Sequence, residues 1–246
     1  MPSREGAVAR ALDFFDSNGF RDRLAELVAI PSTSQDAGHE ADVRHYLDGA
    51  IRPWLQRMGF AVTVHANPAA GFGPILTAER LEDPARPTIL TYGHGDTVRG
   101  LEDQWRAGLE PWRLTEAGDR WYGRGSADNK GQHALNLSAL ESVLAERDGK
   151  LGFNLKLVLE TCEERGSVGL QSSPTSTGMA SVEPVAGEEG LFRIDSFFDV
   201  FVDLNFGSLH ADVGPIRVAL APEPAGLALL AGPVLGLAML RRRRNA

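Results

Sequence analysis

The sequence predicts an α/β fold built on a mixed or parallel sheet. Three observations lead there. Apolar residues recur at helical spacing up to about residue 58. From Phe60 the pattern changes to strand-like alternation. A second helical stretch, 129–147, then leads directly into another apolar strand, Gly152–Glu160. Helices that alternate with strands pack as layers on a sheet, and sites in such sheets form where strands end and loops begin.

Taken in order, 6–17 and 20–29 read as helices, with Val8, Leu12 and Phe15 and then Leu24, Leu27 and Val28 on their apolar faces, separated at Gly19. Pro31-Ser-Thr-Ser-Gln35 reads as a turn. A longer helix over 39–58 carries Val43, Tyr46, Leu47 and Ile51 on one face and is kinked by Pro53. Strands follow at Phe60–Ala66, Pro74–Arg80 and Pro87–Gly93, the last so apolar that it reads as a central buried strand. The helix at 129–147 places Leu137, Leu140 and Leu144 along one face, with Val143 beside them.

The composition shifts after Leu170. Residues 1–170 form one domain, 171–190 a Ser/Thr/Gly/Pro-rich linker, 191–221 a β-like segment and 222–246 a hydrophobic tail expected to be helical. Within this region Glu189–Phe206 reads as a β-hairpin.

Bulk properties exclude several functions. A net charge of −8 argues against nucleic acid and anionic membranes as general partners. The single cysteine, Cys162, allows no internal disulfide and no thiolate cluster, so any metal must be held by His, Asp and Glu. Arg4, Glu5, Arg10 and Asp13 interrupt the first residues, which therefore do not read as a signal peptide, and the expected location is cytoplasmic. At the other end Gly226–Leu240 is free of charge and is followed by Arg241–Arg244, a pattern open to membrane contact.

Three short segments carry the chemistry. His94 and Asp96 close the strand at Pro87–Gly93. A ligating imidazole needs its second nitrogen held, usually by a carboxylate, so His94 reads as a ligand oriented by Asp96; the alternative is a turn with a capping Asp. Asp128 sits in a glycine-bearing loop before a helix, where it can bridge cations or simply cap the helix. Glu163 and Glu164 follow a strand. Two adjacent carboxylates there need a compensating cation, with one ligating and one free as general base, unless they form a solvated turn neutralised by Arg165. Imidazole and carboxylate donors suggest Zn²⁺, with Co²⁺ or Mn²⁺ feasible.

Three stretches, Tyr92-Gly-His-Gly-Asp-Thr97, Trp121-Tyr-Gly-Arg-Gly-Ser-Ala-Asp-Asn-Lys-Gly-Gln132 and Glu160-Thr-Cys-Glu-Glu-Arg-Gly-Ser-Val-Gly-Leu170, together with the opening Leu27-Val-Ala-Ile-Pro-Ser32, resemble the zinc-dependent aminoacylase, acetylornithine deacetylase, succinyl-diaminopimelate desuccinylase and glutamate carboxypeptidase group of metallopeptidases. The resemblance spans roughly residues 6–170. It implies a partial three-layer catalytic sandwich, two zinc ions, and hydrolysis of an amide in a small peptide or N-acyl amino acid. His94 and Glu164 would be metal ligands, and Asp128 would bridge both ions before a cis peptide to Asn129. Asp96 would orient His94, and Glu163 would be the general base.

The resemblance also implies parts that the remaining 82 residues after Glu164 are expected not to supply, namely a dimerising lid domain and further ligands. Glu188, Glu189 or Asp195 stands near the place of a missing acid, and His210 is the only late histidine. The tail has its own resemblance: Pro222-Glu-Pro-Ala225, the apolar run and the arginine cluster look like the Pro-Glu-Pro sorting signal of Gram-negative bacteria. That implies an alternative reading, a non-catalytic protein sorted to the cell envelope.

Overall fold

The computed structural model describes residues 2–170 in full and, as backbone only, the strands of 177–184, 192–206 and 209–220. The helices are α1 (Arg4–Asp16), α2 (Gly19–Val28), α3 (Glu40–His45), α4 (Arg52–Arg57) and α5 (Lys130–Glu146). The strands of the first part are β1 (Ala61–His65), β2 (Ile75–Arg80), β3 (Thr88–His94), β4 (Thr115–Ala117), β5 (Arg120–Tyr122) and β6 (Asn154–Glu160). Within residues 1–170 the helical and strand-like stretches of the sequence, apart from 39–58, thus become elements at nearly the expected bounds. The chain divides into two compact units, Met1–Gln171 with Asn205–His210, and Ser172–Leu204 with Ala211–Ala246.

The first unit is mixed α/β. Its main sheet has four strands in the order β1-β2-β6-β3, with β1–β2 and β2–β6 antiparallel and β3–β6 parallel. A separate hairpin pairs β4 with β5. The core gathers Leu24, Leu27 and Val28 of α2, Trp54 and Leu55 of α4, Leu137, Leu140 and Leu144 of α5, and Leu155, Leu157 and Leu159 of β6. The apolar face of α1 is only half-buried, and Ala7 is its one buried residue.

Two expectations are corrected here. The strand read as central, β3, lies at the edge of the main sheet among the described residues, and β6 takes the central place. Burial follows this order: most of β6 is buried, whereas Ile89 and Leu90 of β3 are half-buried and Tyr92 is 53% exposed. A run of apolar and β-branched residues is compatible with either position, because it records the packing of the faces and not whether the second edge is paired. The long helix at 39–58 is three segments: α3, a π-helical turn over Tyr46–Ile51, and α4. Pro53 lacks an N–H and its ring crowds the carbonyl four residues back, so an unbroken α-helix is not available there. The chain widens instead, and the Arg52 amide donates to the carbonyl of Leu47, five residues away.

After residue 170, β7 (Thr177–Pro184), β8 (Phe192–Phe206) and β9 (Leu209–Leu220) form a three-stranded sheet in that order, with β7 and β8 antiparallel. The segment read as a hairpin within Glu189–Phe206 is instead a single strand from Phe192, which contains neither Gly nor Pro. The stretch read as a linker contains β7. The tail of 222–246, with its expected helix and sorting motif, lies outside the described residues. Among the described residues no helix is long and apolar enough to cross a membrane.

The central position of β6 sets an expectation for stability. Leu155 is 2% exposed, and Leu155→Ala is expected to lower unfolding free energy by about 2–5 kcal/mol. Leu81→Ala, at a site 58% exposed, is expected to change it by less than about 0.5 kcal/mol. Urea denaturation of both variants checks this.

Candidate active site

The parallel register of β3 and β6 pairs His94 with Glu160. Both strands therefore end at the same place, and the segments that continue from them are brought together. His94 is the last residue of β3, and Glu163 and Glu164 lie in a short 3-10 turn just past β6. The helix that crosses between the two strands is α5, so the loop before it, which carries Asp128, is delivered to the same end.

All five residues singled out in the sequence meet there. His94 Nε2 lies 3.0 Å from Asp128 Oδ1 and 3.9 Å from Glu163 Oε2. One donor atom from each of His94, Glu163 and Glu164 lies within 4.8 Å of the others. The other imidazole nitrogen, Nδ1, faces Asp96, at 3.0 Å from its backbone oxygen and 3.4 Å from Oδ1. Asp96 is fully buried. The peptide bond between Asp128 and Asn129 is cis.

The alternatives weighed for these residues separate on geometry. The N-cap of α5 is Asn129, not Asp128, and its side chain makes no capping hydrogen bond. The Asp128 carboxylate is turned to His94 instead. Arg165 does not cover the two glutamates: its guanidinium lies over the Phe72 ring, 4.3 Å from the centroid. Cys162 is sealed in, and burial pushes its thiol up to about 12, helped by the neighbouring Glu160 carboxylate. It stays protonated and does not compete as a thiolate donor.

The electrostatics describe a site short of positive charge. Burial alone would lower the His94 imidazole, but hydrogen bonds to Asp96 and Asp128 and the charges of Asp96 and Glu163 outweigh it and hold the group up at about 9. Burial raises the Glu164 carboxyl, and the adjacent Glu163 raises it further. A cation among these donors would relieve both. Imidazole nitrogen and carboxylate oxygens are the donor set of a borderline divalent metal, so the residues present fit one. Glu188 and Glu189 lie outside the described residues, as do the side chains of Asp195 and His210.

Several residues around the site were not singled out in the sequence. Asn129 Oδ1 accepts from the His94 amide at 3.3 Å, and its Nδ2 donates to Gln132 Oε1 at 2.9 Å. Lys130 is fully buried, donates from Nζ to the carbonyl of Ile30 at 2.5 Å and lies over the rings of Tyr46 and Trp112. Burial lowers its ammonium to about 7, against the pull of Asp42. His133 shares a hydrogen bond of 2.7 Å with the Tyr46 hydroxyl, and burial with the charges of His94 and Lys130 lowers it to about 3, so it is neutral. Gly93 is required where these groups approach β3: a Cβ there would fall 2.5 Å from His133 Nε2 and 2.9 Å from Asn129 Oδ1. Ser34 donates to Asp96 from the turn after α2. The one signal for these residues was adjacency to the recognisable motifs.

The chain is similar in sequence and in fold to known proteins. The model of peptidase family M20/M25/M40 matches residues 90–218. Human Beta-Ala-His dipeptidase is 39% identical over 165 residues, which cover 62% of this chain and 31% of the relative. An acetylornithine deacetylase of Aliivibrio fischeri is 33% identical over 182 residues, covering 70% of this chain and 46% of the relative. The crystal structure of human carnosine dipeptidase 1 superposes with a TM-score of 0.58 at 28% identity, over 65% of this chain and 36% of that one. The chain thus spans less than half the length of these relatives.

The raised His94 value has two consequences in opposite directions. In the metal-free chain the group binds its proton more tightly folded than unfolded. Its contribution to stability is full below the ordinary 6.5 and is lost as pH rises through about 9. Metal binding must displace that proton. Zinc titrated calorimetrically into the metal-free chain at neutral pH, in buffers of differing ionisation enthalpy, is expected to release about one proton from His94. The metal-free unfolding midpoint should fall between pH 6.5 and about 9.

Proposed function

The chain belongs to peptidase family M20/M25/M40, and from that membership we propose that its first unit is part of the three-layer catalytic sandwich of a zinc metallopeptidase acting on dipeptides. One observation carries the reading: His94, Asp128, Glu163 and Glu164, from three distant segments, converge at the ends of β3 and β6 with their donor atoms facing one another.

In this reading His94, Asp128 and Glu164 would hold zinc, with two ions expected. When bound, Zn²⁺ supplies Lewis acidity toward the scissile carbonyl and acidifies water. The chain's own residues do the rest. Asp96 holds Nδ1 of His94, which leaves Nε2 turned to the other donors. Glu163, whose side chain is 43% exposed, is open to a substrate and takes a proton from the attacking water at its carboxylate. The same proton can then pass to the leaving amine.

Dipeptides are preferred as substrates because the human relative is named a Beta-Ala-His dipeptidase. An N-acyl amino acid is the second choice, on the acetylornithine deacetylase relative. Location is a separate proposal: the sorting-like tail of 222–246 supports delivery to the cell envelope.

The zinc-loaded chain is expected to hydrolyse β-alanyl-histidine or an unblocked α-dipeptide, as followed by amine release. Glu163→Gln should lower kcat by about 10²–10⁴-fold, the usual contribution of a positioned general base. Equal rates for the two proteins, or no turnover of either class of substrate by the zinc-loaded chain, would overturn the catalytic reading.

A further inference from the structure

Asp96 is 0% exposed, and an isolated carboxylate at such a place is strongly disfavoured unless hydrogen bonds or charges compensate it. Besides His94 Nδ1, 3.4 Å from Oδ1, its compensation comes from two further parts of the chain. The turn after β6 donates two backbone amides, Glu163 N to Oδ1 and Glu164 N to Oδ2, each at 3.2 Å. The loop after α2 donates one side-chain hydroxyl, Ser34 Oγ to Oδ2 at 2.6 Å. Any residue supplies an amide; the hydroxyl is the donor that depends on residue type. It is also the shortest of the three, as befits an O–H donor on a charged acceptor.

The Ser34 loop is tied to every segment that builds the site. Ser32 Oγ donates to the carbonyl of Gly95 at 2.7 Å, and the amide of Thr97 donates to the carbonyl of Ser32 at 3.0 Å. Gln35 Nε2 donates to the carbonyl of Glu164 at 2.9 Å. Lys130, two residues past Asp128, donates to the carbonyl of Ile30. The loop therefore touches the β3 end, the Glu163–Glu164 turn and the start of α5.

We propose that Ser34 is a positioning residue for the metal group: its hydroxyl fixes the rotation of the Asp96 carboxylate, so that one oxygen faces His94 Nδ1 while both hold the amides of the Glu163–Glu164 turn. The inference rests on the metallopeptidase reading and extends it to a residue that does not itself meet metal or substrate. A carboxylate turns easily about its last torsion. Without the hydroxyl, the imidazole and the glutamate turn lose the anchor that sets them against one another. Removal of such an outer hydrogen bond typically weakens metal affinity by about 10–100-fold.

The test is zinc affinity of the full chain, by competition with a chromophoric chelator, for the unsubstituted protein, Ser34→Ala and Ser34→Thr. The d–d spectrum of each Co²⁺ form is recorded alongside. Ser34→Ala is expected to bind about 10–100-fold more weakly with an altered cobalt spectrum, and Ser34→Thr, which keeps the hydroxyl, to recover most of the affinity and the original spectrum. Unsubstituted and Ser34→Ala chains that bind zinc equally well overturn this inference and leave the metal reading intact. No zinc bound by the unsubstituted chain overturns both. Should Ser34→Ala not fold, hydrogen exchange of the unsubstituted chain decides: zinc should slow exchange over residues 32–35 as well as over 160–166, and protection confined to 160–166 overturns the proposal.

Discussion

Parallel pairing of β3 with β6 is the constraint on which the rest of the first unit depends. Two parallel neighbours cannot be joined by a tight turn; the chain must cross back over the sheet, and here it does so through α5. That topology puts the C-terminal ends of both strands and the N-terminal end of the crossing helix on one side. His94 and Asp96 come from the first strand end, Glu163 and Glu164 from the second, and Asp128 from the entry to the helix. A slip of one residue in this register would turn His94 to the opposite face of the sheet. The buried leucines of β6 and α5 resist such a slip, because the same shift would expose them. Core packing and site geometry are thus held by one register.

The chemistry of the site follows from what this convergence costs. Five ionisable groups are drawn together, four of them carboxylates, and Asp96 is wholly buried. Its charge is met by the His94 imidazole and by donors from two loops, and through Asp96 the His94 ring and the glutamate turn share one anchor. The imidazole rises, the Glu164 carboxyl rises, and the cluster keeps an excess of acceptors over donors. Buried Lys130 adds positive charge nearby but directs its Nζ to the Ile30 carbonyl and two aromatic rings. An arrangement of this kind suits a divalent cation, which is the reading proposed for the site.

Much of this was legible in the sequence, and the reasons differ by residue. The alternation in 61–65 and the leucine face of α5 record local packing, so they could be read directly. His94, Asp96, Asp128, Glu163 and Glu164 stood out because polar residues at strand ends are conspicuous against apolar runs. The edge position of β3 was not legible, because apolar content reports burial of a strand's faces and says nothing about a second neighbour. The break at Pro53 was expected as a kink; its form, a π-helical turn, depends on how Tyr46, Leu47 and Ile51 all remain in the core. Ser34 was read only as part of a turn. Its partner Asp96 lies 62 positions away, and no local pattern marks a hydrogen bond of that range.

The central claim is that these side chains form a metal site. The most direct measurement is the zinc content per chain, by elemental analysis after dialysis, of the unsubstituted protein beside Asp128→Ala and Glu164→Ala. The account predicts stoichiometric zinc in the unsubstituted chain and a clear reduction in both variants. Zinc absent from the unsubstituted chain, or retained in full by both variants, would contradict it.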